Sequence, residues 1–382
     1  MHIAFLTPEY PHQKVKHAAG IGTSIKNLAR ALVGQGVTVT VFVYGTQAQE
    51  VIEDAGIKVH LIKAKKFNFL TWYRYRMLIQ KYINKHIKSD KIDLIEAADW
   101  TGITAFMELK APIVLRFHGT DAYFCRLEGR KQKLKNFFFE SVAIKYSKAF
   151  IAPTDFAGNL TREIFMIKGK EIKTIFNGIS LEEFSNPNPK QFNKGMILYI
   201  GTIIRKKGVF ELPSIMKHVL KQCPEAHLVM IGSDSYDLKT NASSTWEYIK
   251  ANEDEDLMSR ISFLGKVPYG EVQEHIKNAN VCVFPTFAET MGMVTIEAMA
   301  MSKAVVNSNI GWSQELIENG RSGFLVHPSN HVFFAEQIVR LLQDDGLSYS
   351  MGLEARERAE KCFDIEKLAM QNIAFYDKII KA

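Results

Sequence analysis

The sequence predicts an α/β protein built from more than one doubly wound parallel sheet, and three observations lead there. At 382 residues the chain is too long for one hydrophobic core, so length alone predicts two or three domains. Residues 281–306, VCVFPTFAETMGMVTIEAMAMSKAVV, read as strand, loop, helix, strand. An apolar run ends at Pro285, a loop covers 286–291, Gly292 opens an apolar helix over about 293–301, and a further strand begins at Ala304. The chain also opens on a βαβ pattern, with strands over 2–7 and 37–44 around a helix over about 24–33.

Composition narrows the class. An apolar content of 47% and a charged content of 23% are those of a globular soluble protein. Four cysteines, Cys125, Cys223, Cys282 and Cys362, lie far apart with no Cys-x-x-Cys. That argues against a disulfide framework and a zinc site, and for a reducing compartment. The N-terminus MHIAFLTPEYP lacks the charged start and apolar run of a signal peptide, and no stretch of 18 uncharged apolar residues exists. The expected location is cytoplasmic, peripheral at the inner face of the membrane. Net charge is +7 but uneven: residues 1–185 hold 27 Lys and Arg against 17 Asp and Glu, whereas 186–382 hold 21 against 24. The basic half is expected to face something anionic.

In chain order, Pro8 and Pro11 end the first strand and a long loop runs to Ala19. Gly20-Ile21-Gly22 follows, with Thr23 as the expected N-cap. The glycines come a dozen residues after the strand, and Ile25 stands where a third glycine would complete a dinucleotide fingerprint, so this is not that motif. Two readings stand for Gly20 and Gly22: a structural turn, or a contact to phosphate or sugar. A strand over 58–63 precedes an amphipathic helix over 72–87, with Tyr75, Ile79, Tyr82, Ile83 and His86 on one face. Residues 63–91 carry nine Lys and Arg and one acid among Phe67, Phe69, Trp72, Tyr73 and Tyr75; a second basic run includes Arg130, Lys131, Lys133 and Lys135. Such clusters are either solvated faces or surfaces for anionic lipid or nucleic acid.

Strands over 92–97 and 112–117 follow. The second leads into His118-Gly119-Thr120-Asp121 at the ligand edge of a sheet, where His118 is a satisfied structural histidine or a ligand contact, and Asp121 a turn or cap residue. Strands over 149–152 and 173–176 close the first domain at Asn177-Gly178. A Pro- and Asn-rich linker covers 182–194. The second domain, 195–363, begins with a strand over 196–200 ending at Gly201. The turn after it, Thr202 to Gly208, carries Arg205, Lys206 and Lys207. Three cations at the carboxyl end of a strand suit a diphosphate; a solvated turn is the plain alternative. Strands over 227–231 and 261–264 end in Gly232 and in Gly265-Lys266-Val267, and residues 236–256 read as a polar, acidic insertion. A final helix begins after Asp364.

Glu289 and Glu297 frame the start of the helix after the fourth strand of this half. A pair of carboxylates can serve hydrolysis at one bond, but Glu297 lies more than a turn inside the helix at ~1.5 Å per residue. The two suit the ends of a long ligand better, each accepting from a vicinal diol, with phosphates on the helix start between them. Two solvated acids around a core helix remain the alternative.

ETMGMVTIE resembles the Glu-x7-Glu motif of the retaining GT-B glycosyltransferases, family 4 (glycosyl transferases group 1) in particular. Glu289, Gly292 and Glu297 are kept, with Thr290 and Met291 where the family often has Gly and Phe. FHGTD, Asn177-Gly178-Ile179, Gly201 with Lys207-Gly208, and the Gly311, Glu315, Gly320, Gly323 series resemble further family segments; Thr202 stands in place of the usual Arg. The resemblance implies the GT-B fold: two Rossmann-like domains (1–185 for the acceptor, 195–363 for the donor) facing across a cleft, with the helix of about 364–382 crossing back to the first. It implies transfer of a hexosyl unit from a nucleoside diphosphate sugar to an acceptor hydroxyl, without metal or other cofactor; the basic half alone suggests a sugar or lipid-linked sugar acceptor in cell-surface polysaccharide assembly. Glu289 and His118 would serve the donor sugar and Glu297 the ribose. Lys207, with Arg205 in place of the missing Arg, would hold the diphosphate. Gly20, Gly22, Gly201, Gly232, Val267, Met291, Gly292 and Met293 would bring backbone to the donor. Rival readings are a GT-B epimerase or phosphorylase, a sugar-nucleotide binder without turnover, and a nucleic-acid binder using the basic half; the expectation is no nucleic acid.

Overall fold

Apolar runs of four to six residues that lack alternation must be covered on both faces, and helices between them supply the cover. The structure, a computed structural model, describes residues 1–16 and 20–382, and of Tyr269 the backbone alone. The described residues divide into two compact units, Met1–Ser180 with Phe363–Ala382, and Leu181–Cys362.

In the first unit, strands β1 (His2–Thr7), β2 (Thr38–Thr46), β3 (Glu50–Asp54), β4 (Ile57–Lys63), β5 (Leu94–Ala98), β6 (Ile113–Arg116), β7 (Ala149–Ala152) and β8 (Ile172–Thr174) form one sheet in the order β3-β4-β2-β1-β5-β6-β7-β8. Pairing is parallel except between β3 and β4. That hairpin is absent from the sequence reading. Its strand EVIED is polar and half-exposed, and its two-residue turn places Ala55 at φ 53 and Gly56 at φ 79, the mirror-image turn that suits strand twist.

The helix after β1 is Gly20–Gly34, four residues earlier than expected. Thr23 therefore lies inside its first turn rather than capping it, and Gly20 and Gly22 contribute N–H groups of the helix start. A Cβ at Gly22 would come within 3.2 Å of the Glu9 and Tyr10 backbone, which is why the loop can lie so close. Residues 17–19, the end of the expected loop, fall outside the described residues.

The last helix, Ile365–Lys381, is capped by the Asp364 side chain and belongs to the first unit. A buried network fixes it: Arg116 donates from Nε to Glu96 Oε1 at 2.7 Å and from Nη2 to Asn372 Oδ1 at 2.5 Å, and Tyr376 donates to Glu96 Oε2 at 2.5 Å. The Glu96 and Tyr376 partners hold the Arg116 guanidinium charged against burial, which opposes it.

In the second unit, β9 (Met196–Ile200), β10 (His227–Ile231), β11 (Ile261–Phe263), β12 (Val281–Phe284), β13 (Val305–Ser308) and β14 (Phe324–Val326) form an all-parallel sheet in the order β11-β10-β9-β12-β13-β14. Strand order reverses between β9 and β12. That reversal is the topological switch point of a doubly wound sheet, where ligands lodge beyond the carboxyl ends of the strands. The expected insertion carries two short helices, Thr245–Ala251 and Glu255–Met258.

Candidate active site

The second unit builds its site from the two loops at the switch point. After β9 the chain turns through Arg205–Lys207 to Gly208, which has φ 72. A Cβ there would sit 1.8 Å from the Pro285 carbonyl oxygen, so only glycine lets this turn meet the end of β12. The two loops are then joined through backbone: Phe287 N–H donates to Lys206 O at 2.8 Å. Gly201, Gly232 and Gly265 form the adjoining floor, with Gly201 N–H donating to Ile231 O at 2.9 Å and Gly232 N–H to Gly265 O at 2.9 Å. Val267 follows on the loop beyond β11, half-buried.

On this frame the Lys207 ammonium pairs with Glu289 Oε1. Both side chains are 20% exposed, so the pair is shielded but reachable. Burial pushes the Glu289 carboxyl up, but the Lys207 charge and hydrogen bond, helped by Lys206, outweigh it and leave the group below its ordinary range. Glu289 is therefore an anion at neutral pH and accepts from its own neighbour, Thr290 N–H, at 3.3 Å.

Gly292, at φ 89, turns the chain into the helix Met293–Ala300. A Cβ at Gly292 would lie 3.5 Å from Thr295 Oγ1, 3.8 Å from Glu289 Cγ and 3.9 Å from Trp312 Nε1. Glu289 thus stands beside the first N–H groups of that helix, which carry its positive end. Met291 is buried, Met293 half-buried, and Glu297, at the fifth helical position, is 5% exposed. Trp312 was not among the sequence candidates; its position after β13, at the same sheet edge, was the available signal.

Arg205 stands elsewhere. Its guanidinium grips Asp237, Nε to Oδ1 at 3.0 Å and Nη2 to Oδ2 at 2.7 Å, and lies 3.9 Å over the Phe210 ring. Asp237 is 2% exposed and needs a counter-charge. The Arg205 bonds, with Thr240, hold its carboxyl down at about 2 against burial. These contacts pin the insertion to the turn; the expected reach of Arg205 to a diphosphate stays a proposal.

The first unit carries a separate group at the carboxyl end of β6. Asp99 accepts the backbone N–H of His118 at 2.9 Å and of Gly119 at 3.3 Å. The His118 Nε2 atom is buried and has no hydrogen-bond partner among the described residues. Burial, with the Arg116 charge, pushes the imidazole down to about 3, so it is neutral. Burial raises Asp99 to about 8, assisted by Glu140 and opposed by the two N–H donors. Glu140 accepts from Asp121 N–H at 2.9 Å and Ala122 N–H at 3.3 Å, so the start of the helix Asp121–Glu128 is filled by the chain's own carboxylate. Thr120, not Asp121, is the cap, accepting from Tyr123 N–H at 3.0 Å. Gly20 and Gly22 lie after β1 at this sheet's own switch point, between β1 and β5.

Comparison with known proteins gives this arrangement its family. A family model described as Glycosyltransferase Family 4 matches residues 18–183, and one described as Glycosyl transferases group 1 matches residues 181–358. An uncharacterized glycosyltransferase of Methanocaldococcus jannaschii is 26% identical, with 98% of each chain covered. Among solved structures, the sucrose-phosphate synthase of Thermosynechococcus elongatus superimposes with a TM-score of 0.84 at 21% identity, covering 100% of this chain and 99% of that one. Anabaena HepE, solved in complex with UDP-glucose, has a TM-score of 0.72 at 17% identity, covering 99% and 100%. Two parallel-sheet units, each matched by its own half of the family pattern, place the chain among the GT-B glycosyltransferases of the family 4 and group 1 type.

Proposed function

We propose that this chain is a retaining hexosyltransferase that uses a nucleoside diphosphate sugar. One observation carries the reading: the Lys207–Glu289 pair stands at the switch point of the second sheet, beside the start of the Met293–Ala300 helix. A diphosphate lodged there would meet an ammonium and a helix start together. Charge developing on the leaving oxygen is then stabilised by fixed donors, the kind of contribution that usually dominates catalysis. Glu289, an anion, accepts from sugar hydroxyls and Glu297 from the ribose diol. His118, neutral, is the first unit's candidate for a sugar contact. Lys207 and the helix N–H groups fill the place that a metal ion takes in other phosphate chemistry, and no side-chain nucleophile is assigned. The glycosidic bond breaks as the acceptor oxygen attacks from the same face, and the departing diphosphate takes the acceptor proton. That the similar HepE structure contains UDP-glucose favours UDP as the first nucleotide to try.

The test is a thermal-shift screen of UDP-, GDP- and ADP-sugars, followed by NMR of the product's anomeric centre with the donor that binds. A product with the donor's anomeric configuration supports the reading. An inverted product, or sugar released or epimerised without acceptor, overturns it.

The acceptor is read as a lipid-linked sugar in cell-surface polysaccharide assembly, presented at an anionic membrane. Among the described residues no helix is long and apolar enough to cross a membrane. Trp72, Phe106 and Phe138 form a chain of rings with centroids 5.7 and 5.9 Å apart. Phe138 is 54% and Leu134 85% exposed, beside Lys131, Lys133 and Lys135. At about 1 kcal/mol per cation near an anionic surface, replacing those three lysines with alanine should weaken binding to phosphatidylserine vesicles on the order of a hundredfold. Unchanged sedimentation with vesicles would leave the patch as a solvated face.

A further inference from the structure

The first unit holds a second cluster that the transfer reaction does not use. His60 lies within β4, paired with Phe42 of β2, and is 1% exposed. His86 and Asp90 lie one turn apart near the end of the helix Thr71–Asp90, which packs on that face. The rings of His60 and His86 have centroids 4.4 Å apart, and His86 Nδ1 is 3.2 Å from Asp90 Oδ2. One ligand atom from each of the three residues lies within 4.8 Å of the others. Asp90 is at the amino-terminal edge of the sheet, where its carbonyl oxygen is 2.9 Å from His2 Nδ1. His118 lies at the opposite edge.

The polar atoms here are unevenly satisfied. His60 Nδ1 is 2.9 Å from the Tyr82 hydroxyl. His60 Nε2 is buried without a hydrogen-bond partner among the described residues. With Nδ1–H donating to Tyr82, the lone pair falls on Nε2. An imidazole fixed by a hydrogen bond at one nitrogen and open at the other is the arrangement of metal-bound histidines. Ser89 Oγ donates to Asp90 Oδ1 at 2.7 Å, which orients the carboxylate, while Oδ2 faces His86 Nδ1 and Lys58 Nζ, whose contacts an entering cation would replace.

We propose that His60 Nε2, His86 and Asp90 Oδ2 form a binding site for a borderline divalent cation of the zinc class, pinning the Thr71–Asp90 helix to β4. Two imidazoles and a carboxylate suit that class, with water in the fourth position. Metal–ligand bonds of roughly 2.0–2.1 Å place tetrahedral neighbours roughly 3.3 Å apart, so binding requires the partly exposed His86 and Asp90 side chains to close on the fixed His60. Lys58 Nζ, 3.7 Å from Asp90 Oδ2 on a 55% exposed side chain, can swing outward as the cation enters. Asp90 borders an open surface depression of about 530 Å³ that Lys58 and Asp93 also line, so the carboxylate is the ligand nearest solvent. The absence of Cys-x-x-Cys excludes a thiolate site but not this one.

The test uses the full chain, freed of metal by chelator and titrated with Zn²⁺ and then Co²⁺. The expected result is one equivalent of zinc retained through dialysis, a tetrahedral cobalt spectrum, and a rise in Tm of about 5 °C or more at a hundredfold excess over Kd. Asp90→Asn and His86→Ala change partly exposed residues, and each should weaken binding at least tenfold. His60→Phe keeps a ring in the core and should abolish the cobalt bands. Circular dichroism confirms that each variant is folded. Wild-type chain that retains no zinc, or zinc uptake equal in all three folded variants, overturns the site and leaves two histidines that only pack.

Discussion

Replacing Lys207 with alanine separates the catalytic reading from a structural one because it changes two observables by different amounts. The pair it breaks is 20% exposed on each side. A charged hydrogen bond in that setting contributes about 1–2 kcal/mol to stability, toward the low end of the range for charged groups. For a unit of this size that is a Tm decrease of about 3–6 °C. The same ammonium is assigned to the leaving diphosphate, where one preorganised donor typically contributes about 3–4 kcal/mol, a decrease of about 10²–10³ in kcat. There is also a pH signature. Lys207 is the leading influence holding the Glu289 carboxyl down against burial. Without it, burial prevails and the carboxyl titrates at higher pH, so the acid limb of the kcat profile should move upward in Lys207→Ala. The assay is initial-rate sugar transfer with the donor identified by thermal shift, from pH 5 to 9, with Tm measured on the same samples. A variant within threefold of wild-type kcat, or one whose acid limb stays in place, would refute the assignment.

Glu297→Ala should weaken nucleotide binding at least tenfold by calorimetry, since a 5% exposed carboxylate accepting from a ribose diol is a charged contact of about 1.5–3 kcal/mol; an unchanged Kd removes it from the site. Glu96→Gln leaves the Arg116 guanidinium unpaired beneath the last helix, which costs about 3–5 kcal/mol and should lower Tm on the order of 10 °C; an unchanged Tm would show that the network does not hold that helix. Asp99, with its folded value raised to about 8, contributes stability that is complete below its unfolded value of about 4 and is lost as pH rises through 8. Asp99→Asn should therefore flatten the decline in stability between about pH 4 and 8, measured by urea unfolding; a parallel decline in both proteins counts against it.

Much of the fold was legible because parallel strands buried on both faces write themselves as apolar runs between Gly and Pro stops. β9, β10 and β12 fall where those runs are. The helix after Gly292 was legible for the same reason. What escaped had no such signature. β3 is a polar edge strand, and β14 has three residues. The helix start at Gly20 is set by close approach to Glu9 and Tyr10, which local propensity for Thr23 as a cap does not register. Pairings across the chain were beyond reach for a plainer reason. Arg205 had two prospective partners, a phosphate or an acid, and nothing near residue 205 says that Asp237 would be buried within reach. Glu140 reaching back to Asp121 N–H, and Trp312 standing beside Gly292, are likewise products of packing.

The most direct measurement is a crystal structure of the chain with uridine diphosphate bound. The expected result is a diphosphate in hydrogen-bond reach of Lys207 Nζ and of the N–H groups that open the Met293–Ala300 helix, with the ribose on Glu297. A nucleotide bound at full occupancy elsewhere, with Lys207 still paired to Glu289 as it is here, would contradict the proposed reaction at its centre.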